Sequence, residues 1–145
     1  PELVGRGLSV STMKHAHHDF DIDQPGKDSY EHRQAGAREV MISASKRWAL
    51  MHEVRKEGEP SVDELIARMT PVDLLLVEGF KWHAHSKIEI HRPALGKPLL
   101  QNNDSNIVAV ASDENIDDLI VPVFDLDNII GIADFIIKKG KLDCE

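Results

Sequence analysis

The stretch Asp73-Leu74-Leu75-Leu76-Val77-Glu78-Gly79 decides the fold class of this 145-residue chain. Its unbroken aliphatic run predicts a strand buried on both faces, as in a parallel sheet covered by helices. An acid and a glycine follow at the carboxyl end of the strand, where ligands of open α/β sheets bind. The stretch therefore predicts an α/β protein and makes Glu78 a candidate ligand residue.

The segments on either side continue this pattern. Further strands are predicted at Leu8–Met13, Glu39–Ala44, Trp48–Val54, Ile88–His91, Ile107–Ala111 and Val121–Phe124. Helices are predicted at Pro1–Val4, Asp28–Ala37, Ser61–Met69 and from a cap at Asp127 to a stop at Gly140, with Ile129, Ala133, Ile136 and Ile137 facing inward in the last. This order predicts one domain, residues 1–145, with a mostly parallel sheet, helices on both faces and a β-hairpin.

Composition and charge narrow the class of protein. Hydrophobic residues make up 41% of the chain, and 17 basic against 25 acidic residues give a net charge of −8. This balance argues against general binding to nucleic acid or to an anionic membrane surface. Residues 1–58 carry nine residues of each sign, whereas residues 101–145 carry three basic and ten acidic ones. A phosphate ligand is therefore better tolerated in the first segment.

Neither cysteine usage nor hydropathy points to the cell exterior. The chain has one cysteine, so no disulfide framework can form. No apolar run approaches the roughly 18 residues that span a bilayer. No signal peptide opens the chain. We expect a cytoplasmic protein.

The loop from His15 to Ser29 is the densest polar segment. Three of its histidines are candidate zinc ligands, namely His15, His17 and His18. Its carboxylates suit a harder metal such as Mg²⁺, with Asp19 the first of them and Asp21 and Asp23 following. Four further residues are candidates for phosphate or Mg²⁺ contacts: Lys14, Lys27, Asp28 and Ser29. A solvated loop without any ligand accounts for the same composition.

Glu78 and Gly79 are the leading candidates for ligand chemistry. A carboxylate at the end of a buried strand can face Mg²⁺ or its water shell, and a glycine lets the backbone approach a phosphate. A strand-end glutamate bonded to backbone amides is the alternative, and the sequence leaves both open. Asp113 can accept hydrogen bonds from guanine or cap a turn. Trp48 and Trp82 are expected to pack in the interior.

Familiar catalytic motifs are absent from the sequence. Pro25–Ser29 fails as a Walker A loop, because Asp28 separates Lys27 from Ser29 and Asp21 stands where the first glycine is required. No nucleophile elbow is present, so acyl transfer has no support.

Six blocks of the chain, in order, resemble the bacterial molybdopterin-guanine dinucleotide biosynthesis adapter family. They are Lys14–Asp19, Gly26–Glu31, Ala35–Ala37, Arg47–Met51, Leu76–Lys81 and Val108–Asp113. Members of this family are P-loop GTP-binding proteins, so the resemblance implies a P-loop NTPase-like fold. It also implies that Pro1–Val4 end the helix after the P-loop, with roughly 25 residues of the first βα unit and its Walker A loop upstream.

The resemblance further implies a function. The intact protein would bind GTP with Mg²⁺, hydrolyse it slowly and assist the molybdenum cofactor guanylyltransferase, which joins GMP to molybdopterin. Molybdopterin is a further expected ligand, and a homodimer is the expected assembly. Without a Walker A loop, this chain is expected to bind GTP weakly and not to hydrolyse it.

The resemblance also assigns site residues. Glu78 and Gly79 are similar to the Walker B element, with Lys81 close behind. The segment from Lys14 to Ser29 resembles a switch-like loop near phosphate and metal, and Asp113 takes the place of the guanine reader.

Three other functions stay open at this point. The first is a nucleotide-dependent metallochaperone that holds a metal on His15, His17 and His18. The second is a small-molecule kinase or ligase, and the third is an adapter that works by surface contact without any ligand.

Overall fold

The computed structural model of the chain describes residues 1–16 and 20–143. Within these residues the strands are β1 (Val10–Lys14), β2 (Glu39–Ala44), β3 (Arg47–His52), β4 (Leu74–Glu78), β5 (Lys87–His91), β6 (Ile107–Ser112) and β7 (Val123–Asp125). The helices are α1 (Glu2–Gly5), α2 (Asp28–Gln34), α3 (Val62–Ile66) and α4 (Ile129–Gly140), with two 3₁₀-helices at Pro93–Leu95 and Gln101–Asn103. The chain divides into two compact units.

The first unit comprises Pro1–His15 and Pro71–Glu145 and holds only parallel strand pairs in its described part. β1 pairs with β4, from Val10 opposite Leu74 to Lys14 opposite Glu78. β6 lies between β5 and β7 in a three-stranded sheet. The expected α/β architecture with parallel strands is therefore confirmed.

The core of the first unit is centred on β6. Ala109, Val110 and Ala111 are fully buried, as the continuous apolar run predicts. The same expectation is wrong for β4, because Leu76 is 37% exposed. Among the described residues β4 is hydrogen-bonded to β1 alone, so a four-residue aliphatic run does not here mark a central strand.

Two acidic side chains in this unit accept backbone hydrogen bonds from segments distant in the sequence. Asp73 accepts hydrogen bonds from the Ser9 backbone nitrogen at 2.8 Å and from its hydroxyl at 2.5 Å, which ties the start of β4 to that of β1. The hydroxyl bond, followed by the amide bond, lowers the pKa of Asp73. Buried Glu89 on β5 accepts hydrogen bonds from the backbone nitrogens of Leu100 and Gln101, both at 2.8 Å.

Helix α4 differs from the prediction at its N-terminal end. Asn128, not Asp127, is the N-cap, and its side chain accepts a hydrogen bond from Gly131 N at 2.9 Å. At the other end the helix runs through Gly140, and Lys141 takes the left-handed conformation at φ 52°. The predicted stop at Gly140 is therefore confirmed, and the left-handed residue that follows it is a lysine.

The inward face of α4 is also narrower than predicted. Ala133 is buried as expected, but Ile129 is 57% exposed in the first helical turn.

The second unit, Ala16–Thr70, contains the antiparallel hairpin of β2 and β3, joined by a two-residue turn at Ser45 and Lys46. The hairpin is confirmed, with Arg47 belonging to β3 and not to the turn. The capping box of Ser61 and Glu64 is present at the start of α3. Helices α2 and α3 end three residues before the predicted positions, at Gln34 and Ile66.

An arginine organises the described part of the loop before α2. Arg33 donates hydrogen bonds to both carboxylate oxygens of the buried Asp23, at 2.8 and 3.2 Å, and its Nη2 is 2.6 Å from Asp21. The bond to Asp23 is the main cause that raises the pKa of Arg33. The second and third aspartates that the sequence offered to a metal are thus held by a guanidinium fork.

A search of the described helices finds none that combines the length and the apolar character needed to cross a bilayer.

Candidate functional site

Lys14 and Glu78 meet where β1 and β4 end. They are opposite residues in the parallel register, and Lys14 Nζ donates a hydrogen bond to Glu78 Oε1 at 2.7 Å. Both side chains are about two-thirds exposed, at 68% and 70%. Solvent screens such a pair, so its net contribution to stability is about 0–1 kcal/mol. Both charged groups can therefore turn to a ligand at little cost.

The turn after β4 is tightly constrained. Gly79 has φ 86°, and a Cβ atom there would lie 2.8 Å from the Cβ of His15. Phe80 also has a positive φ of 45°, a conformation that disfavours side chains. The His15 ring stacks on Phe80 with centroids 4.6 Å apart and planes 28° apart. The His15 backbone nitrogen donates to the Glu78 carbonyl at 2.9 Å, so the ends of both strands are locked together.

Lys81 and Trp82 lie just beyond this turn. The Lys81 ammonium lies 5.4 Å from the centroid of the Trp82 ring, within cation–π range. Trp82 is 76% exposed and Trp48 is 68% exposed, so the expectation that both tryptophans pack in the interior is wrong. Exposed aromatic faces of this kind are available to a base or to a protein partner.

Asp113 lies at the carboxyl end of β6. Its carboxylate accepts a hydrogen bond from Arg92 Nη1 at 2.7 Å. It lines a cavity of about 170 Å³ whose wall is mostly polar; the other lining residues are Ser112, Glu114, Asn115, Val123, Phe124 and Asp125. One lone pair of Asp113 is thus occupied by an arginine that the sequence did not single out, and the carboxylate can accept further donors.

Lys27, Asp28 and Ser29 belong to the second unit. Lys27 is the N-cap of α2, without a side-chain capping bond, and Asp28 begins the helix. Asp28 and Ser29 line an open cavity of about 400 Å³ together with His32 and residues 40–43 of β2. Asp19, His17 and His18, which the sequence offered as metal ligands, lie outside the described residues.

Three features of the first unit were not predicted: the His15–Phe80 stack, the positive φ of Phe80 and the Arg92–Asp113 pair. The first joins residues that are 65 positions apart in the sequence. Only the strand pairing brings them together. Arg92 had one available signal, because it directly follows a predicted strand, as the other site residues do.

Comparisons with known proteins agree with the fold. A family model described as molybdopterin guanine dinucleotide synthesis protein B matches residues 1–113. The chain is 42% identical over 141 residues to a molybdopterin-guanine dinucleotide biosynthesis adapter protein of Escherichia coli strain K12, covering 95% of this chain and 80% of that protein. A protein of the same name from Haemophilus influenzae is 39% identical over 138 residues, covering 94% and 75%.

A solved structure shares the architecture. The crystal structure of molybdopterin-guanine biosynthesis protein B superimposes with a TM-score of 0.73 at 27% identity, covering 96% of this chain and 84% of that one. The resemblance found in the six sequence blocks is therefore confirmed, and with it the P-loop-like α/β fold. The chain belongs to the molybdopterin guanine dinucleotide synthesis protein B family.

Proposed function

We propose that this protein is a GTP- and Mg²⁺-binding adapter in molybdenum cofactor biosynthesis. In this role it assists the guanylyltransferase that attaches GMP to molybdopterin, in the cytoplasm. The observation that carries the proposal is the Lys14–Glu78 pair beside the Gly79 turn, at the carboxyl ends of two adjacent parallel strands. Family membership and the names of the relatives support the pathway.

The residues at this edge suit both groups of a magnesium nucleotide. A carboxylate oxygen is a ligand that Mg²⁺ and its water shell accept, and an ammonium complements a phosphate oxygen. Bound Mg²⁺ would neutralise charge on the phosphates. Glu78 would release Lys14 and accept hydrogen bonds from metal-bound water, while Lys14 turns to the phosphates. Gly79 keeps this edge open, because any side chain there would meet His15.

Asp113 is the proposed guanine reader. Its cavity offers mostly polar walls, and a carboxylate can accept two hydrogen bonds from the N1 and N2 donors of guanine. Arg92 would orient the carboxylate during this contact. Lys81, Lys27, Asp28 and Ser29 remain proposed nucleotide contacts, and Asp19 a proposed Mg²⁺ contact, on the resemblance alone.

The nucleotide part of the proposal is tested on the protein carrying the P-loop that the resemblance implies. We expect Glu78→Gln to weaken Mg²⁺-dependent GTP binding about 10–100-fold, the usual effect of removing an outer-shell partner of a metal. Glu57→Gln is the matched control, since Glu57, like Glu78, is an exposed carboxylate paired with a basic side chain, here that of Arg38. Equal GTP affinity in both variants, measured by calorimetry with Mg²⁺, would contradict the assignment of Glu78.

The adapter part needs a separate measurement. We expect the guanylyltransferase to co-purify with this protein and GTP to change the yield. Failure to co-purify with or without GTP would count against the adapter role and leave the nucleotide assignment standing.

The proposed assembly is a homodimer. The hairpin presents three exposed apolar side chains on one face: Met41 opposite Leu50, and Trp48 one step along. A face of this kind favours burial against a protein. We expect Trp48→Glu to shift the protein to monomers in sedimentation experiments, whereas Ile120→Glu, at an even more exposed apolar residue of the first unit, should not. A monomeric wild type would contradict the dimer.

A further inference from the structure

Two histidines lie close together on the turn between β4 and β5. The Nδ1 atoms of His83 and His85 are 3.0 Å apart, and the ring centroids are separated by 5.2 Å with the planes tilted by 37°. A hydrogen bond between two neutral imidazoles has this length. So does the separation of two neighbouring nitrogen ligands on a single metal ion.

The distance can be compared with the nitrogen–nitrogen separations of common coordination geometries. Two nitrogens bound at about 2.1 Å lie about 3.0 Å apart at the 90° angle of square-planar or octahedral sites, and about 3.4 Å apart in a tetrahedron. Tetrahedral coordination is the preference of Zn²⁺, whereas Ni²⁺ and Cu²⁺ favour tetragonal or square-planar sites with nitrogen ligands. The spacing of His83 and His85 thus matches the second class.

Backbone hydrogen bonds hold this turn in place. His83 N donates to the Phe80 carbonyl at 2.9 Å, and His85 N donates to the His83 carbonyl at 3.0 Å. Lys87 Nζ donates to the carbonyls of Lys81 and His83, both at 2.8 Å. The two rings are therefore carried by a preorganised turn, and a bound ion need not order it.

The local charge permits a cation. The Lys87 ammonium is paired with the Asp104 carboxylate at 2.5 Å, so the nearest positive charge is balanced. Both histidines are only partly buried, so water can reach the remaining coordination positions.

We propose that His83 and His85 form a two-histidine binding site for a divalent transition metal of the Ni²⁺ and Cu²⁺ class. Over residues 1–16 and 20–143, no three His, Cys, Asp or Glu side chains converge, so water would complete the coordination. These two residues differ from the three histidines that the sequence offers as zinc ligands, namely His15, His17 and His18. The proposed site does not depend on GTP binding or on the adapter function.

Calorimetric titration of the chain with Ni²⁺ tests the proposal. We expect saturable binding of one equivalent that weakens about tenfold or more in His83→Gln and in His85→Gln, because each removes one of the two protein ligands. His91→Gln, a histidine of the same unit on β5, is the matched control and should bind as the wild type does. Circular dichroism verifies that all variants are folded.

Two further measurements locate the ion. Paramagnetic Ni²⁺ should broaden the NMR ring resonances of His83 and His85 before those of the other six histidines. Simultaneous replacement of His15, His17 and His18 by Gln should leave the affinity unchanged. Absence of saturable Ni²⁺ binding would overturn the proposal, and so would binding that survives in the His83→Gln/His85→Gln double variant.

Discussion

Replacing Gly79 by alanine tests how tightly the site turn is built. Two effects add at this position. The φ of 86° places an alanine in a left-handed conformation that costs about 1–2 kcal/mol. The new Cβ would also lie 2.8 Å from His15 Cβ, and such overpacking costs about 1–3 kcal/mol. We therefore expect Gly79→Ala to lower the free energy of unfolding by about 3 kcal/mol.

A second glycine separates these two effects. Gly96, in the same unit, has φ 62° and nothing within 4 Å of the position that a Cβ would take. We expect Gly96→Ala to cost only the conformational part, about 1 kcal/mol. Urea unfolding followed by far-ultraviolet circular dichroism measures both variants, with the midpoint and slope compared.

Residue 15 provides the decisive control. The predicted contact involves the Cβ of His15, so His15→Ala in the Gly79→Ala background should not relieve it. Replacing His15 by glycine in that background should recover the overpacking part, because the Cβ is then absent. Equal losses in Gly79→Ala and Gly96→Ala, or equal behaviour of the two position-15 variants, would refute the reasoning about close contact at this turn.

Three further predictions concern polar contacts of the fold. Glu89→Gln should lower the free energy of unfolding by about 1–3 kcal/mol, because the amide nitrogen of glutamine would face one of the two backbone N–H groups from which Glu89 now accepts a hydrogen bond. Urea unfolding measures this change, and a loss within experimental error would contradict the buried acceptor role. Ser61→Ala should cost about 1 kcal/mol by removing the capping box of α3, seen as faster hydrogen exchange of the Glu64 amide; unchanged exchange would speak against the cap. Asp73 has a folded-state pKa below its ordinary value of 3.8, so its contribution to the stability of the fold is complete above pH 3.8 and is lost as the pH falls through the folded pKa. The acid unfolding curve of Asp73→Asn should therefore be flatter than that of the wild type in that range. Identical curves would exclude the contribution.

Periodicity and strand order predicted much of the architecture. The continuous run Ile107–Ala111 of β6 is buried as predicted, and β6 is the central strand of its three-stranded sheet. The run in β4 is also continuous and aliphatic, yet it leaves Leu76 exposed. An apolar sequence shows that a strand is suited to burial, whereas the position of the strand in its sheet decides whether it is buried.

The site was partly predictable for a geometric reason. Parallel strands end at the same edge of a sheet, so charged residues after two such strands are expected to meet, and Lys14 and Glu78 do. Contacts that depend on side-chain rotamers or on unusual backbone angles carry no comparable signal. The His15–Phe80 stack and the positive φ of Phe80 belong to this second class.

The capping of α4 shows the same limit at a finer scale. Asp127 and Asn128 are adjacent, and either has a side chain suited to an N-cap. Asn128 is the N-cap, because its side-chain oxygen accepts a hydrogen bond from the backbone nitrogen of Gly131, three residues later.

The long connection between β1 and β4 has a consequence for the order of folding. Lys14 and Glu78 are 64 residues apart, whereas the hairpin of β2 and β3 closes through a two-residue turn. Each doubling of loop length adds about 0.6 kcal/mol of closure entropy, so pairing β1 with β4 starts roughly 2–3 kcal/mol behind the hairpin. Local pairs form first under such a difference. The Lys14–Glu78 edge should accordingly be among the last features to assemble, and its appearance would mark the completion of folding.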